Sequence, residues 1–163
     1  MKNTLQYCFI FLCFAFLGNS FATPKQNIHI QADHMRLNIK TKITTYTGNV
    51  LIKKPQVQLK GEKIVIKRNR DNQIVSIINH GNPAYYSDQS TKQKPIFAHA
   101  HIIEFYPKKH QAILKGKASI KQGVDVIHAP IVHYDTKNHV ISAFGNKKTQ
   151  IQMKVLMNNK KGI

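Results

Sequence analysis

Set against itself at a shift of 68 residues, the sequence reproduces its own apolar pattern. Ala32 meets Ala100, Met35 meets Ile103, Leu37 meets Phe105, Tyr46 meets Leu114 and Gly48 meets Gly116. Val50 then meets Ala118, Ile52 meets Ile120, Leu59 meets Ile127, Gly61 meets Ala129, Ile64 meets Val132 and Ile66 meets Tyr134. Both copies carry G-x-[VA]-x-I-K. A repeat of this length is a supersecondary unit several strands long, used twice.

The repeated unit is made of strands. Tyr46 to Lys53 and Leu114 to Lys121 alternate apolar and polar residues with period two, and Ile, Val, Thr and Tyr dominate the apolar set. Turn signals fall at Lys54-Pro55, Asn69 to Asn72, Gly81-Asn82-Pro83, Gln89 to Pro95, Pro107 to His110, Gln122-Gly123, Thr136 to Asn138 and Gly145-Asn146. No segment beyond Ala22 carries a helical stripe over three turns, so a sandwich, barrel or jellyroll is expected.

The alternation also changes phase at matching places. Ile28, Ile30 and Ala32 give way to Met35, Leu37 and Ile39; Leu59 and Gly61 give way to Ile64 and Ile66; Ile127 and Ala129 give way to Val132 and Tyr134. One extra residue sends every later side chain to the opposite face. A β-bulge restores the inward face and bends the strand. The expected fold is therefore an all-β, folded-over antiparallel jellyroll, shaped like a taco and built from two related strand units. The inward face comprises Ile30, Ala32, Met35, Leu37, Tyr46, Val50, Ile52, Leu59, Ile64, Ile66, Ile103, Phe105, Leu114, Ile120, Ile127, Val132 and Tyr134.

Residues 1–22 read as a signal peptide. Lys2 supplies the positive start, Tyr7 to Leu17 is apolar, and Ser20-Phe21-Ala22 places small residues where a signal peptidase reads them, with cleavage after Ala22. The apolar run falls short of the roughly 20 residues that span a bilayer. The expected domain covers 23–155, with a frayed tail at 156–163. Both cysteines, Cys8 and Cys13, lie in the leader, so the exported part has no disulfide, thiol catalyst or cysteine-based zinc site. Lys2 is the one cation before Ala22. The exported part thus keeps 24 Lys and Arg against 7 Asp and Glu, a formal charge of +17. Such a charge attracts polyanions. Export argues against nucleic acid and for anionic lipid head groups or phosphorylated glycolipid.

Enzymatic chemistry finds little support. His99-Ala100-His101 offers two imidazoles but no third ligand fixed by sequence, so no metal is expected. The seven carboxylates are scattered without a catalytic pair, no nucleophile elbow is present, and no cofactor is expected. Lys53, Lys60, Lys67 and Arg68 lie around the first β-unit and are candidates for contact with anionic head groups; a solvated basic face that keeps the sheet soluble is the plainer reading.

The inward residues either fill one another's space as a dry core or leave a groove. Small residues recur at the kinks (Ala32, Gly48, Gly61, Gly116, Ala129), the chain has no Trp, and no helix is available to cover an open face. An acyl chain would cover it: at about 0.8 kcal/mol per CH2, twelve carbons gain roughly 9 kcal/mol over water. A bilayer offers the same gain. A carrier of this kind must be loaded by another machine and pass its cargo along a continuous path.

Thr47-Gly48-Asn49-Val50, followed by VQLKGEKIVI from Val57 to Ile66, closely resembles the signature of the OstA-like family of periplasmic lipopolysaccharide-transport proteins, typified by LptA. Ile28 to Asp33 resembles the family's first strand, His80 to Ala84 its G-x-P-A turn, and Leu114 to Ala118 its second T-G-N-A copy, with Lys115 and Lys117 in place of Thr and Asn. The similarity spans about residues 27 to 150. It implies lipid A chains between two β-walls, with domains stacked end to end between an inner-membrane anchored component and an outer-membrane β-barrel component. Unpaired first and last strands suit such strand addition. Ile28, Ile30, Val140, Ile141, Ile151 and Met153 are the expected edge residues for head-to-tail self-association. Two other readings stand beside a lipopolysaccharide-binding carrier: an inner-membrane-anchored jellyroll of the same pathway, and a structural assembly module with a dry interior.

Overall fold

A computed structural model describes residues 28–89 and 94–155. The expected signal peptide and the tail at 156–163 lie outside the described residues. Ten strands form one antiparallel sheet: β1 (His29–Gln31), β2 (His34–Asn38), β3 (Ile43–Lys53), β4 (Val57–Arg68), β5 (Ile74–Asp88), β6 (Ile96–Tyr106), β7 (Gln111–Gln122), β8 (Asp125–Asp135), β9 (Val140–Phe144) and β10 (Gln152–Lys154). Strands β3 to β8 form a meander. The short β1 and β2 share the free side of β3, and β9 and β10 share the free side of β8. The described residues include one turn of 3-10 helix at Pro107–Lys109 and no helix long and apolar enough to cross a membrane.

Every long strand breaks register at one level. These shifts fall at Thr47/Val50 in β3, Lys60/Lys63 in β4, His80/Ala84 in β5, His99/Ile102 in β6 and Lys115/Ala118 in β7, where β8 skips from Ile131 to Ala129; a separate shift lies at Lys67/Arg68 at the end of β4. Expected phase changes in three segments thus belong to a fold line that crosses the whole sheet. Each bulge bends its strand, and together they divide the sheet into two walls. Gly81-Asn82-Pro83, which reads as a turn in the sequence, is instead the kink inside the continuous β5. A Gly-Asn-Pro run reverses a chain when its flanks are free, but here both flanks are held by pairing to β4 and β6.

The internal repeat is present in the backbone. Gly48 and Gly116 both have φ +77, and Asn49 and Lys117, which follow them, have φ 46 and 48. Lys42 and His110, which precede β3 and β7, have φ 58 and 50. Asp33 lies against Gly48, and His101, 68 positions later, lies against Gly116. The two related units are therefore β1 to β4 and β6 to β8.

Candidate functional site

Register carries three rungs of side chains across the full width of the sheet on its inner face. On one wall the rung runs Ile30, Ile52, Leu59, Tyr86, Ala98, Ile120, Ile127, Met153. On the other wall, nearest the fold, it runs Met35, Tyr46, Ile64, Asn79, Ile103, Leu114, Val132, Ala143. The third runs Leu37, Thr44, Ile66, Ile77, Phe105, Ala112, Tyr134, Ile141. The expected inward residues all fall on these rungs except Ala32 and Val50. Those two sit at the fold, Val50 buried opposite Gly61 and Ala32 packed beside it.

The walls face one another: Tyr134 and Tyr86, from opposite walls, pack into one cluster. Asp88 lies near the far end of β5 on one wall, and Tyr134 shares a rung with Ile77 on the other. In a straight strand, Ile77 and Asp88 would be roughly 35 Å apart at about 3.3 Å per residue. Yet the Tyr134 phenol is pushed up first by burial and then by the Asp88 carboxylate. Tyr86, on the Asp88 wall, is raised by burial, by Asp88 and by Tyr134, and its hydroxyl donates to Asp88 Oδ2 at 3.0 Å.

Side chains of the two walls meet in the middle. Val50 and Ile52 of one wall cluster with Ile64 and Ile66 of the other. Ala84, Ala98, Ala118 and Ile120 cluster with Ile103, Leu114, Val132 and Tyr134. The rungs emerge only at the two edges of the sheet. Ile30, Met35 and Leu37 are 38, 61 and 52% exposed at one edge, and Met153 is 58% exposed at the other.

This arrangement of kinked, rung-bearing strands coincides with a known family. The family model described as "LptA/(LptD N-terminal domain) LPS transport protein" matches residues 29–140, more than half of the chain. The chain belongs to this family. It is similar to the lipopolysaccharide export system protein LptA of Escherichia coli K12, 27% identical over 127 residues, which are 77% of this chain and 69% of that protein. Similarity to the export system protein LptH of Pseudomonas aeruginosa is 26% over 147 residues, 86% of this chain and 83% of that one. The crystal structure of LptH, the LptA-homologous periplasmic component of that organism's lipopolysaccharide transport device, superposes with a TM-score of 0.73. It covers 81% of this chain and 96% of its own at 21% identity, which establishes the shared fold.

Within this LptA-type fold, the four candidate cations do not converge. Lys53 and Lys60 are exposed on one wall, and Lys67 is exposed beyond the kink on the other. Arg68 is half-buried and turns inward, its guanidinium donating to the buried Thr44 hydroxyl at 3.4 Å. The expected edge residues divide between faces. Ile30, Ile141 and Met153 are on the inner rungs, Val140 is exposed beside Asp135 at the end of β9, and Ile28 and Ile151 flank strands and are exposed. His99 is exposed, His101 packs on Gly116, and no three metal-ligating side chains converge among the described residues.

Sequence reasoning missed the inner face of β5: Ile74, Ile77, Asn79, Ala84 and Tyr86. Its alternation is visible on each side of Gly81-Asn82-Pro83, but reading that run as a turn cut the strand in two. Asn79 further disguises it. This fully buried side chain donates to the carbonyls of Lys60 at 2.9 Å and Tyr85 at 3.2 Å, replacing ladder bonds lost at the kink.

Proposed function

We propose that the chain is a periplasmic carrier of lipopolysaccharide that holds the acyl chains between its two walls and passes them along copies stacked head to tail. It works between an inner-membrane anchored component and an outer-membrane β-barrel component, after cleavage of the signal peptide at Ala22, and it catalyses no reaction. One observation carries this reading: three largely apolar rungs run in register from one edge of the sheet to the other, exposed at Ile30, Met35 and Leu37 on the first edge and at Met153 on the second. The groove residues Ile52, Ile66, Ile103, Phe105, Leu114 and Ile120 are the acyl contacts, while Lys53, Lys60, Lys67 and Arg68 are the candidates for head groups. The named roles of LptA and LptH support the cargo and the compartment.

Contact between the walls has a mechanistic consequence. Cargo enters by exchanging wall–wall contacts for wall–acyl contacts of similar free energy per buried CH2. The protein therefore gives a path and not a drive, and the drive comes from the machine that loads it.

The same contact favours a second reading, a dry assembly module. Photo-crosslinking in cells from Ile52, Ile66 and Phe105 separates the two. Adducts with labelled glycolipid are expected; adducts confined to the protein itself would establish the dry module. Intact mass of the exported protein tests the cleaved leader against an anchored form.

A further inference from the structure

The two open edges of the sheet are equivalent to two strands that pair inside it. β1 and β2 stand where β6 stands, 68 residues on. Ile30 pairs with Ile52 as Ala98 pairs with Ile120, and Leu37 pairs with Thr44 as Phe105 pairs with Ala112. β9 and β10 stand where β5 stands. Ile141, Ser142, Ala143 and Phe144 lie against Tyr134, His133, Val132 and Ile131, as Ile77, Ile78, Asn79 and His80 lie against Ile66, Val65, Ile64 and Lys63. Gln152 and Met153 lie against His128 and Ile127, as Tyr85 and Tyr86 lie against Lys60 and Leu59. Even the kinks begin alike: Gly81-Asn82 follows His80, and Gly145-Asn146 follows Phe144. Inside the sheet, β5 pairs with β6.

We propose that one copy of this chain docks on the next by repeating the β5–β6 joint, which fixes the register between copies. Leu37 of one copy stands opposite Ile141 of the next, Arg36 opposite Ser142, Met35 opposite Ala143 and His34 opposite Phe144. Beyond the kink, Gln31 stands opposite Gln152 and Ile30 opposite Met153. This rests on the head-to-tail reading above and adds its register. The register joins each of the three rungs of one copy to the corresponding rung of the next, and it is the alignment in which the fold lines meet. A slip of one residue would set an inner face against an outer one.

The joint between copies differs from the internal one at the kink. Against β4, four residues of β5, Gly81 to Ala84, are unpaired at the kink, whereas against β8 seven, Gly145 to Ile151, separate β9 from β10. The extra length is a tight turn: Asn146 and Thr149 exchange backbone hydrogen bonds, and Asn146 Oδ1 accepts from the Lys148 and Thr149 amides at 2.9 and 2.7 Å. It displays the exposed Lys147 and Lys148 beside a cleft of about 890 Å3 that also borders His101, Lys117 and His128. In the joint between copies this turn lies level with the exposed Asp33, at the position His101 holds in the internal joint. The added lysines thus meet a carboxylate that only the joint between copies supplies.

Residues 23–163 contain no cysteine, so with Cys8→Ser and Cys13→Ser in place cysteine pairs report the register directly. The pairs Arg36→Cys with Ser142→Cys and His34→Cys with Phe144→Cys are made in the full chain, with offset controls Arg36→Cys with Val140→Cys and Arg36→Cys with Phe144→Cys. Multimers are followed by light scattering, and mild oxidation is read on non-reducing gels. Matched pairs are expected to give a ladder of covalent multimers, faster than the offset pairs by about a factor of ten or more through proximity. Multimers in which an offset pair links as fast as a matched pair would overturn the register and leave head-to-tail stacking intact. Absence of multimers at every concentration, with no pair linking, would overturn the stacking itself. Lys147→Glu with Lys148→Glu is expected to weaken self-association, and Asp33→Lys to restore it. If that double variant instead lost only its binding to lipopolysaccharide micelles, with self-association unchanged, the turn would be a head-group site and its place in the joint would be overturned.

Discussion

Asn79 lies over Gly61 so closely that a Cβ on residue 61 would stand 2.0 Å from the Asn79 Oδ1 and 2.6 Å from the His80 carbonyl oxygen. The kink between β4 and β5 is built on this approach, because the Asn79 amide reaches the carbonyls of Lys60 and Tyr85 only from there. Gly61→Ala is therefore expected to destabilise the fold by about 1–3 kcal/mol, the usual cost of overpacking. Chemical denaturation measures it. An unchanged midpoint would mean that the kink yields freely.

A charge at an open end of a rung tests the path without testing the core. Met35 is largely exposed, so Met35→Asp is expected to change stability by no more than about 0.5 kcal/mol. It is expected to lower glycolipid crosslinking from the neighbouring edge and to weaken docking of a second copy, because the carboxylate would sit on a rung that must otherwise stay apolar. Retention of both activities would remove the rungs from the transport path.

The proposed loading requires the walls to separate. Tyr86 and Tyr134 belong to opposite walls and pack into one cluster. Linking Tyr86→Cys to Tyr134→Cys with a short bifunctional thiol reagent is expected to abolish glycolipid binding while raising resistance to denaturant. Reduction of a cleavable linker restores binding. Full binding by the linked form would place the acyl chains elsewhere.

The phenol of Tyr86 gives an alkaline signature. Burial, and then the Asp88 carboxylate, hold its pKa above the ordinary value of 10.0. The folded chain therefore keeps the proton after the unfolded chain has lost it. The stability this group contributes is complete below pH 10.0 and declines as pH rises from there towards the folded pKa. Tyr86→Phe loses the hydrogen bond to Asp88, a cost of about 1 kcal/mol at neutral pH, but it also loses this alkaline decline. Denaturation curves of parent and variant are expected to converge above pH 10.0; a constant gap would contradict it.

How much of this was legible in the sequence follows from what the repeat covers. β3, β4, β7 and β8 have partners at a shift of 68, so their inner residues, from Tyr46 through Tyr134, could be read from alternation and phase change alone. β5 has no such partner. Its equivalents β9 and β10 are short and displaced by the longer Gly145–Ile151 segment, which breaks the constant offset. Asn79 hid the strand further, since the carbonyls that accept from its amide nitrogen are brought near only by the folded kink, while its Oδ1 is buried without a partner. The meeting of the walls was equally out of reach, because it depends on the depth of the bend and not on which residues face inward.

The line of bulges crosses the long strands at one level, so the depth of the folded sheet is set by how far each strand extends beyond its own kink. Its length is set independently, by how many strands lie side by side. Under the proposed stacking, copies joined edge to edge extend the two walls without changing their depth, so acyl tails of fixed size would meet the same pair of faces throughout.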